Sequence, residues 1–364
     1  MPGKYGKDFA MAKITDFILN GQPTGDVATR LINANMDPRV LRPYIGSDGK
    51  SYETRIVNGE ARAVPMTNAT ATLRKDDWIQ LDAAAISAAK PRLKLVNDLR
   101  GAGLQYVIPN GMGKTILQTQ AMSDISDADI SMDAIRTTAG DRPHFDLTNL
   151  PLPIISKDFS FSSRQIAASR NDGSPLDTTA AELAGQKVAE EAEKLALGTL
   201  DEYTYGGGTV YGLINYENAI AQVLTNPTTE GWAGTTLLDE VLEMIQASQD
   251  HYYYGPWRLY VSPNWGRYLN GEFKAASDKA LRTRLLEIEG ISDILTLDYL
   301  TGYKMVLVMT SPSVVRIVVG MEMTTVEWDS HGGMQKNFKV MAIYVPQVRC
   351  DFNGNTGIVY GNVA

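Results

Sequence analysis

The longest helical pattern in the chain lies between Ser174 and Leu200, where small and apolar residues recur at near-helical spacing. The positions on this stripe are Ala180, Ala184, Val188, Ala192 and Leu195. Asp177, Thr178 and Thr179 are good N-cap types, Glu182 stands where a capping box places an acid, and Gly198 can end a helix. We predict a helix of about 21 residues, roughly 30 Å long, whose alanine-rich stripe lies against a sheet.

A tight hairpin is the clearest local signal before residue 75. Two alternating runs, Tyr52–Val57 and Glu60–Val64, flank the dipeptide Asn58-Gly59. Asn-Gly is favoured in two-residue hairpin turns, so the pattern predicts two paired strands. An isolated hairpin is marginally stable in water. This arm therefore needs a surface to lie on, either its own body or another subunit.

Two longer extended runs follow, at Thr115–Ile135 and Phe145–Ile166, separated by the polar stretch 136–144. Apolar and polar residues alternate in both runs, which is typical of strands. A two-stranded arm with a polar tip exposes its edges and cannot bury both faces by itself. We therefore predict an arm that protrudes from the body and contacts another copy.

The remaining elements predict a mixed α+β body, because helical and strand patterns are interleaved. A helix over 76–100 is interrupted near Pro91 and carries Trp78, Leu81, Ala85 and Ala88 on one stripe. A flexible loop is predicted at Tyr203–Val210 and a helix at Thr235–Asp250, with Leu238, Val241, Leu242 and Ile245 facing inward. Further predicted elements are the helix Lys279–Glu287 and the strands Trp257–Val261, Ile291–Leu297, Tyr303–Met309, Val314–Val319, Phe338–Val345 and Gly357–Tyr360.

The composition, 44% apolar and 21% charged, is that of an ordinary folded protein, and 364 residues predict two or three lobes. The net charge is -8, but residues 1–75 carry +4 and the rest -12. A basic arm fits contact with nucleic acid or with the acidic body of a neighbouring copy, and we favour the second. The single cysteine, Cys350, excludes an internal disulfide framework. No run approaches the 18 apolar residues that a membrane span needs.

Candidate chemistry is weak throughout the chain. The segment Gly111-Met-Gly-Lys-Thr115 resembles the end of a phosphate-binding loop, but Ile108 stands where that motif needs its first glycine. His144, His251 and His331 lie far apart, and none has zinc-site spacing. We predict no catalytic residue, no cofactor site and no metal site, and therefore no enzyme.

The order of parts resembles a known family. That order is a basic arm, the helix start Asp76-Asp-Trp-Ile79, a long two-stranded excursion, Phe159-Ser-Phe-Ser-Ser-Arg164, a small-residue helix ending Leu197-Gly198, and Gly212-Leu-Ile-Asn215. It is similar to the HK97-fold shell proteins, which include tailed-phage major capsid proteins and encapsulin nanocompartment shells. The stretch Arg164–Asn215 carries the closest likeness, to the encapsulin-like branch.

The resemblance implies an HK97-like α+β capsid fold with an N-arm, an extended two-stranded E-loop, a peripheral domain with a long spine helix, and an axial domain. The implied divisions are an N-arm at 1–75, the N-terminal helical part of the peripheral domain at 76–114, the E-loop at 115–165, the spine helix at 166–215, the axial domain at 216–320 and C-terminal strands returning to the peripheral domain at 321–364. The implied contacts between subunits are Ile130, Met132, Arg136, Arg142 and Phe145 in the E-loop and Tyr52, Arg55 and Arg62 in the N-arm. Packing along the spine helix is assigned to Ala184, Val188, Ala192 and Leu195.

The implied function is a structural protein that self-assembles into the icosahedral capsid around a phage genome, in the virion, after assembly in the host cytoplasm. The implied partners are further copies in pentamers and hexamers and, without sequence-specific contact, packaged double-stranded DNA, with no membrane. A decoration or cement protein and a separate scaffold, portal and protease stay open. About 75 residues precede the Trp78 helix, which favours a capsid over an encapsulin-type shell. A soluble enzyme or binding protein is the third hypothesis.

Covalent cross-linking is not expected. Some HK97-fold capsids join an E-loop lysine to an asparagine of a neighbour. Here Asn353 and Asn355 supply the acceptor type, but no lysine lies between Lys114 and Lys157. The tip offers arginines instead, and a guanidinium stays protonated and is a poor nucleophile. We therefore predict a shell held by non-covalent overlap of its arms.

Overall fold

The computed structural model describes most of the chain from Pro43 onward, and its helices and strands alternate along the sequence. The described residues are 43–46, 48–57, 60–66, 73–122, 130, 132, 145–172, 178–274, 279–351 and 353–363. The helices are α1 Lys75–Ala89, α2 Lys94–Gly101, α3 Ser163–Asp172, α4 Thr179–Leu197, α5 Gly234–Asp250, α6 Gly266–Leu269 and α7 Leu281–Leu286. The strands are β1 Tyr44–Ile45, β2 Ser51–Val57, β3 Glu60–Pro65, β4 Gln105–Val107, β5 Ile116–Met122, β6 Phe145–Pro151, β7 Ile155–Ser162, β8 Tyr203–Tyr205, β9 Gly208–Val210, β10 Ile220–Leu224, β11 Trp257–Val261, β12 Ile291–Thr296, β13 Lys304–Met309, β14 Val315–Ser330, β15 Gln335–Val348 and β16 Ile358–Val363.

A four-stranded sheet in the order β4-β14-β15-β7 forms one half of the body. β14 and β15 make a long antiparallel hairpin, in register from Val315 opposite Val348 to Ser330 opposite Gln335. β7 pairs antiparallel with β15, and β4 pairs parallel with β14. The register of β14 shifts on both sides of Met321, so the strand bulges at this point.

The predicted long helix is confirmed as α4, which packs against α1 and against β15 and β7. Thr178 is its N-cap residue, and the Thr178 hydroxyl donates a hydrogen bond to Glu182 at 3.0 Å. Gly198 ends it with φ +82°, a conformation that glycine adopts without strain. At Gly185 a Cβ would lie 2.5 Å from the carbonyl oxygen of Ala85, so α4 and α1 meet backbone to backbone.

A five-stranded sheet in the order β10-β16-β13-β11-β12 forms the other half. Its β-branched strands are buried, and α5 and α7 cover it with an apolar core that includes Leu237, Val241 and Leu285. Four aromatic rings cluster near the segment that follows β11, and the centroids of contacting rings are 5.0–6.3 Å apart. They belong to Trp232, Trp265, Tyr268 and Tyr303.

Two helix faces differ from the prediction. On α1 the buried stripe is Trp78, Leu81 and Ala85 followed by Ala89, because Ala88 lies one position off the face that meets α4. On α5, Leu242 is 43% exposed, while Leu237 and Met244 are buried. The apolar stripe of α5 is wide, so periodicity alone does not determine its centre.

Two connections also differ. The predicted extended run Phe145–Ile166 is divided, because Pro151 and Pro153 end the β6 ladder, β7 joins the four-stranded sheet, and α3 begins at Ser163. The predicted flexible loop at Tyr203–Val210 is a short antiparallel hairpin, β8–β9. Gly206 and Gly207 form its turn with φ +59° and +76°.

Two strands do not follow the predicted division between 216–320 and 321–364, which stays a prediction. β14 runs without interruption from Val315 to Ser330, across the predicted boundary. β16 pairs with β10 and β13 in the five-stranded sheet, so residues 321–364 do not return as one unit to the other half. The apolar sequence pattern that predicted this strand ends at Gly320. There β14 packs closely against Ile343 and then bulges, but the strand continues to Ser330.

Candidate assembly surfaces

The hairpin β5–β6 lies outside both large sheets. Its strands pair antiparallel from Ile116 opposite Pro151 to Met122 opposite Phe145, and no third described strand joins them. Successive side chains of a strand point to opposite faces, so the hairpin has an inner face with Leu117 and Leu150 and an outer face with Phe145 and Leu147.

The inner face fixes the base of this hairpin to the body. Leu117 and Leu150 are buried in an apolar cluster that contains Leu195 of α4 and Ile343 of β15. On the opposite face, the one that carries Leu147, the Asn149 amide donates a hydrogen bond to the carbonyl oxygen of Gly206 at 3.0 Å. The hairpin is therefore a rigid extension of the core at its base.

The outer face carries exposed apolar side chains. Phe145 is 53% exposed and Leu147 is 60% exposed, and both lie on the same face of β6 because they are two residues apart. Two neighbouring large apolar side chains in water form a surface that favours contact with another molecule. The sequence interpretation named Phe145 and missed Leu147, although period-two alternation from Phe145 indicates it.

The other predicted E-loop contacts are only partly placed. Ile130 and Met132 are described and fully exposed. Arg136 and Arg142 lie outside the described residues. The role of these four residues between subunits stays a prediction.

The predicted N-terminal hairpin is confirmed as β2–β3, extended by the short strand β1. Tyr52 stacks on Tyr44, with ring centroids 5.9 Å apart, and the Tyr52 hydroxyl donates to Asp48 at 2.6 Å. Tyr44 is buried with Leu73 and Trp78, so the base of the hairpin lies on its own body. Arg55 and Arg62 stand opposite each other in the hairpin register.

The predicted packing residues of α4 lie in two different apolar clusters. Ala184, Val188 and Ala192 are buried with residues of α1 and β15. Leu195 is buried instead in the cluster beneath β5–β6. The helix thus connects the core of the four-stranded sheet with the base of the protruding hairpin.

The glycine-rich segment at 111–113 has a packing role. It forms a short 3-10 turn, and a Cβ on Gly111 would lie 2.1 Å from the carbonyl oxygen of Gly320. Glycine is required here because the turn touches the bulge of β14. Among the described residues, no group of three or more His, Cys, Asp or Glu side chains could hold a metal ion.

Comparison with known proteins gives a family. The model of a family of unknown function, DUF6260, matches residues 68–361. The chain belongs to this family. No curated protein matches it. None of the helices in the described ranges is long and apolar enough to cross a membrane.

Solved structures show the fold. The chain is similar to a virus-like particle from Pyrococcus furiosus, with a TM-score of 0.53 at 16% identity, over 78% of this chain and 99% of that chain. It is similar to the capsid of Myoviridae phage XM1, with a TM-score of 0.58 at 12% identity, over 74% and 92%. It is also similar to a chain from Mycobacterium phage Bobi, with a TM-score of 0.51 at 11% identity, over 73% of this chain and 90% of that chain. The predicted HK97-like α+β fold is confirmed.

Proposed function

We propose that this chain is a structural shell protein that self-assembles into an icosahedral capsid enclosing a phage genome. The observation that carries the proposal is a rigidly based hairpin, β5–β6, on an HK97-like body, with Phe145 and Leu147 exposed on its outer face. More than half of each of these two side chains is exposed in the lone subunit. Burying the exposed half of each side chain against a neighbour would stabilise the contact by about 1–2 kcal/mol per side chain.

The parts of the body take roles within this proposal. The half built on the four-stranded sheet, with α1, α2 and α4, is the peripheral domain, and the half built on the five-stranded sheet is the axial domain. β5–β6 is the base of the E-loop, and residues 1–75 supply the N-arm. Many modest contacts through these arms suit a closed shell of pentamers and hexamers, because weak individual contacts allow misplaced subunits to dissociate.

The contacts in this shell are non-covalent and the role is not enzymatic. Lys114 precedes β5 and Lys157 lies within β7, so both are at the base of the E-loop. Asn355 donates to Asp351 at 3.0 Å in the turn between β15 and β16. Denaturing electrophoresis of assembled particles should therefore give one band near the 39.8 kDa chain mass. A ladder of multimers that survives boiling contradicts non-covalent assembly.

An encapsulin-type shell is the second candidate, and the similarity to the Pyrococcus particle, over 99% of that chain, favours it. The 74 residues before α1 favour the capsid. The two differ in their contents, so particles from the native source should be measured for absorbance at 260 and 280 nm after nuclease treatment. Protected double-stranded DNA supports the capsid, and a protein cargo supports the encapsulin. A decoration protein, a separate scaffold, a portal and a protease are further proposed partners of the capsid.

The outer face of β6 gives the direct test. We expect Phe145→Ser with Leu147→Ser to retain the folded body, because neither side chain is buried, and to lose shell assembly in sedimentation and negative-stain images. Thr148→Ser is the matched control, since Thr148 is exposed on the opposite face of the same strand. Normal shells from the double variant would overturn the assembly role of this face.

A further inference from the structure

Helix α2 makes polar contacts with both halves of the body. Asp98 binds Arg258 at 2.5 Å and accepts a hydrogen bond from the Tyr260 hydroxyl at 2.7 Å, both from β11 of the five-stranded sheet. Arg100 forms an ion pair with Glu322 of β14, at 2.6 Å. Through these contacts α2 is one link between the two halves, beside the apolar cluster that holds residues of both sheets, among them Val306 and Ile317.

A further ion pair joins Lys94, the first residue of α2, to Asp298 at 2.8 Å. Asp298 follows β12, the edge strand of the five-stranded sheet. The two side chains are 38% and 43% exposed, so this pair contributes little by itself.

The start of α2 is held by a buried carboxylate of the spine helix. Glu193 is 1% exposed, and it accepts hydrogen bonds from the backbone N–H groups of Leu95 at 2.6 Å and Val96 at 3.3 Å. Free N–H groups at a helix start need acceptors. α2 begins after Leu93, which has no side chain able to supply one, and Glu193 takes that role from another helix.

We propose that ionisation of Glu193 controls the attachment of α2 to the spine helix and, through α2, the attachment of the five-stranded-sheet half to the four-stranded-sheet half. The inference stands on the buried contact between α4 and α2 and does not depend on the assembly function. It assigns to Glu193 a role in coupling the two halves of one subunit.

The groups around the Glu193 carboxyl determine how pH changes the attachment of α2. Burial raises the pKa of Glu193 to about 7, and the two backbone hydrogen bonds offset only part of that effect. The charged groups that act on it are Lys94, which lowers the pKa, and Asp298, which raises it. The apolar cluster beside the spine helix takes only apolar side chains from α1, and from β15 it takes apolar side chains and the phenol of Tyr344. Ionising the buried carboxyl is costly while α2 is attached, so separation of α2 from α4 becomes more favourable as pH rises from 4.5 through about 7.

The magnitude follows from linkage. If Glu193 has its ordinary pKa of 4.5 when α2 is detached and about 7 when it is attached, the equilibrium constant for detachment rises about tenfold between pH 6 and pH 8. Hydrogen exchange of the full chain, corrected for the intrinsic exchange rate at each pH, measures this constant in α2 and β11. We expect about tenfold less protection at pH 8 in 94–101 and 257–261, and unchanged protection in 340–345.

Three variants complete the test. In Glu193→Gln the pH effect should vanish, whereas the control Glu191→Gln, an exposed position on the same helix that pairs with Lys194, should keep it. If Glu193→Gln does not fold, Asp298→Asn is the alternative test. Asp298 raises the pKa of Glu193, so removing its charge should move the midpoint of the pH effect to lower pH. Equal protection at both pH values in the wild type, or a pH effect that persists in Glu193→Gln, would overturn the proposal.

Discussion

The contact between α1 and α4 predicts that the most conservative enlargement of Gly185 destabilises the fold. In Gly185→Ala the new Cβ would lie 2.5 Å from the carbonyl oxygen of Ala85 and 2.9 Å from its carbonyl carbon and Cα. All three atoms are backbone, so no side-chain rotation relieves the clash and the helices must separate. Overpacking of a well-packed core costs about 1–3 kcal/mol.

Helix propensity acts in the opposite direction, because alanine is favoured over glycine inside a helix by about 0.8–1 kcal/mol. Subtracting the propensity gain from the packing cost leaves an expected loss of about 0–2 kcal/mol in the free energy of unfolding, centred on about 1 kcal/mol. Denaturant unfolding followed by circular dichroism measures it. Gly101→Ala is the matched control, since nothing lies within 4 Å of a Cβ at this last position of α2. A Gly185→Ala variant more stable than the wild type would refute the close approach of the two helices.

Three further expectations follow from the same structure. Ala184→Phe should overpack the stripe between α4 and α1 and lower the free energy of unfolding by roughly 1–3 kcal/mol, and unchanged melting would show that this face is not inside. Since the pKa of Glu193 is raised from 4.5 to about 7, its stabilising contribution is present below pH 4.5 and is lost as pH rises to 7. Relative to Glu193→Gln, the wild type should lose about 3 kcal/mol across that window, and parallel pH profiles of the two chains would contradict this. Deleting residues 1–70 should leave a folded body that does not close shells, and normal particles from the deletion would contradict the role of the N-arm.

Local patterns predicted the elements whose signals are contained in a short stretch of chain. Asn58-Gly59 between alternating runs fixed the β2–β3 register, and the small-residue stripe ending at Gly198 predicted α4. Pro91 separated α1 from α2 as expected. Pro91 restricts its own backbone and Gly198 adopts a positive φ that other residues avoid, so neither signal depends on distant partners.

Distant partners explain what the sequence did not predict. The membership of β16 in the five-stranded sheet depends on its pairing with β10 and β13, and nothing within Ile358–Val363 specifies those partners. Glu193 occupies a position of α4 that resembles an ordinary polar face, and its acceptor role is visible only when α2 is placed beside it. Gly185 likewise looks like a weak point in a helix until Ala85 is found against it.

Imaging of the purified full-length chain tests the central claim most directly. Sedimentation followed by negative-stain microscopy of the chain produced in a heterologous host distinguishes assembled from unassembled protein. We expect closed shells or capsomer rings that dissociate to one chain in denaturant. A population that remains monomeric near 39.8 kDa at all concentrations tested, with or without scaffold and nucleic acid, would contradict the assignment of this fold to shell assembly.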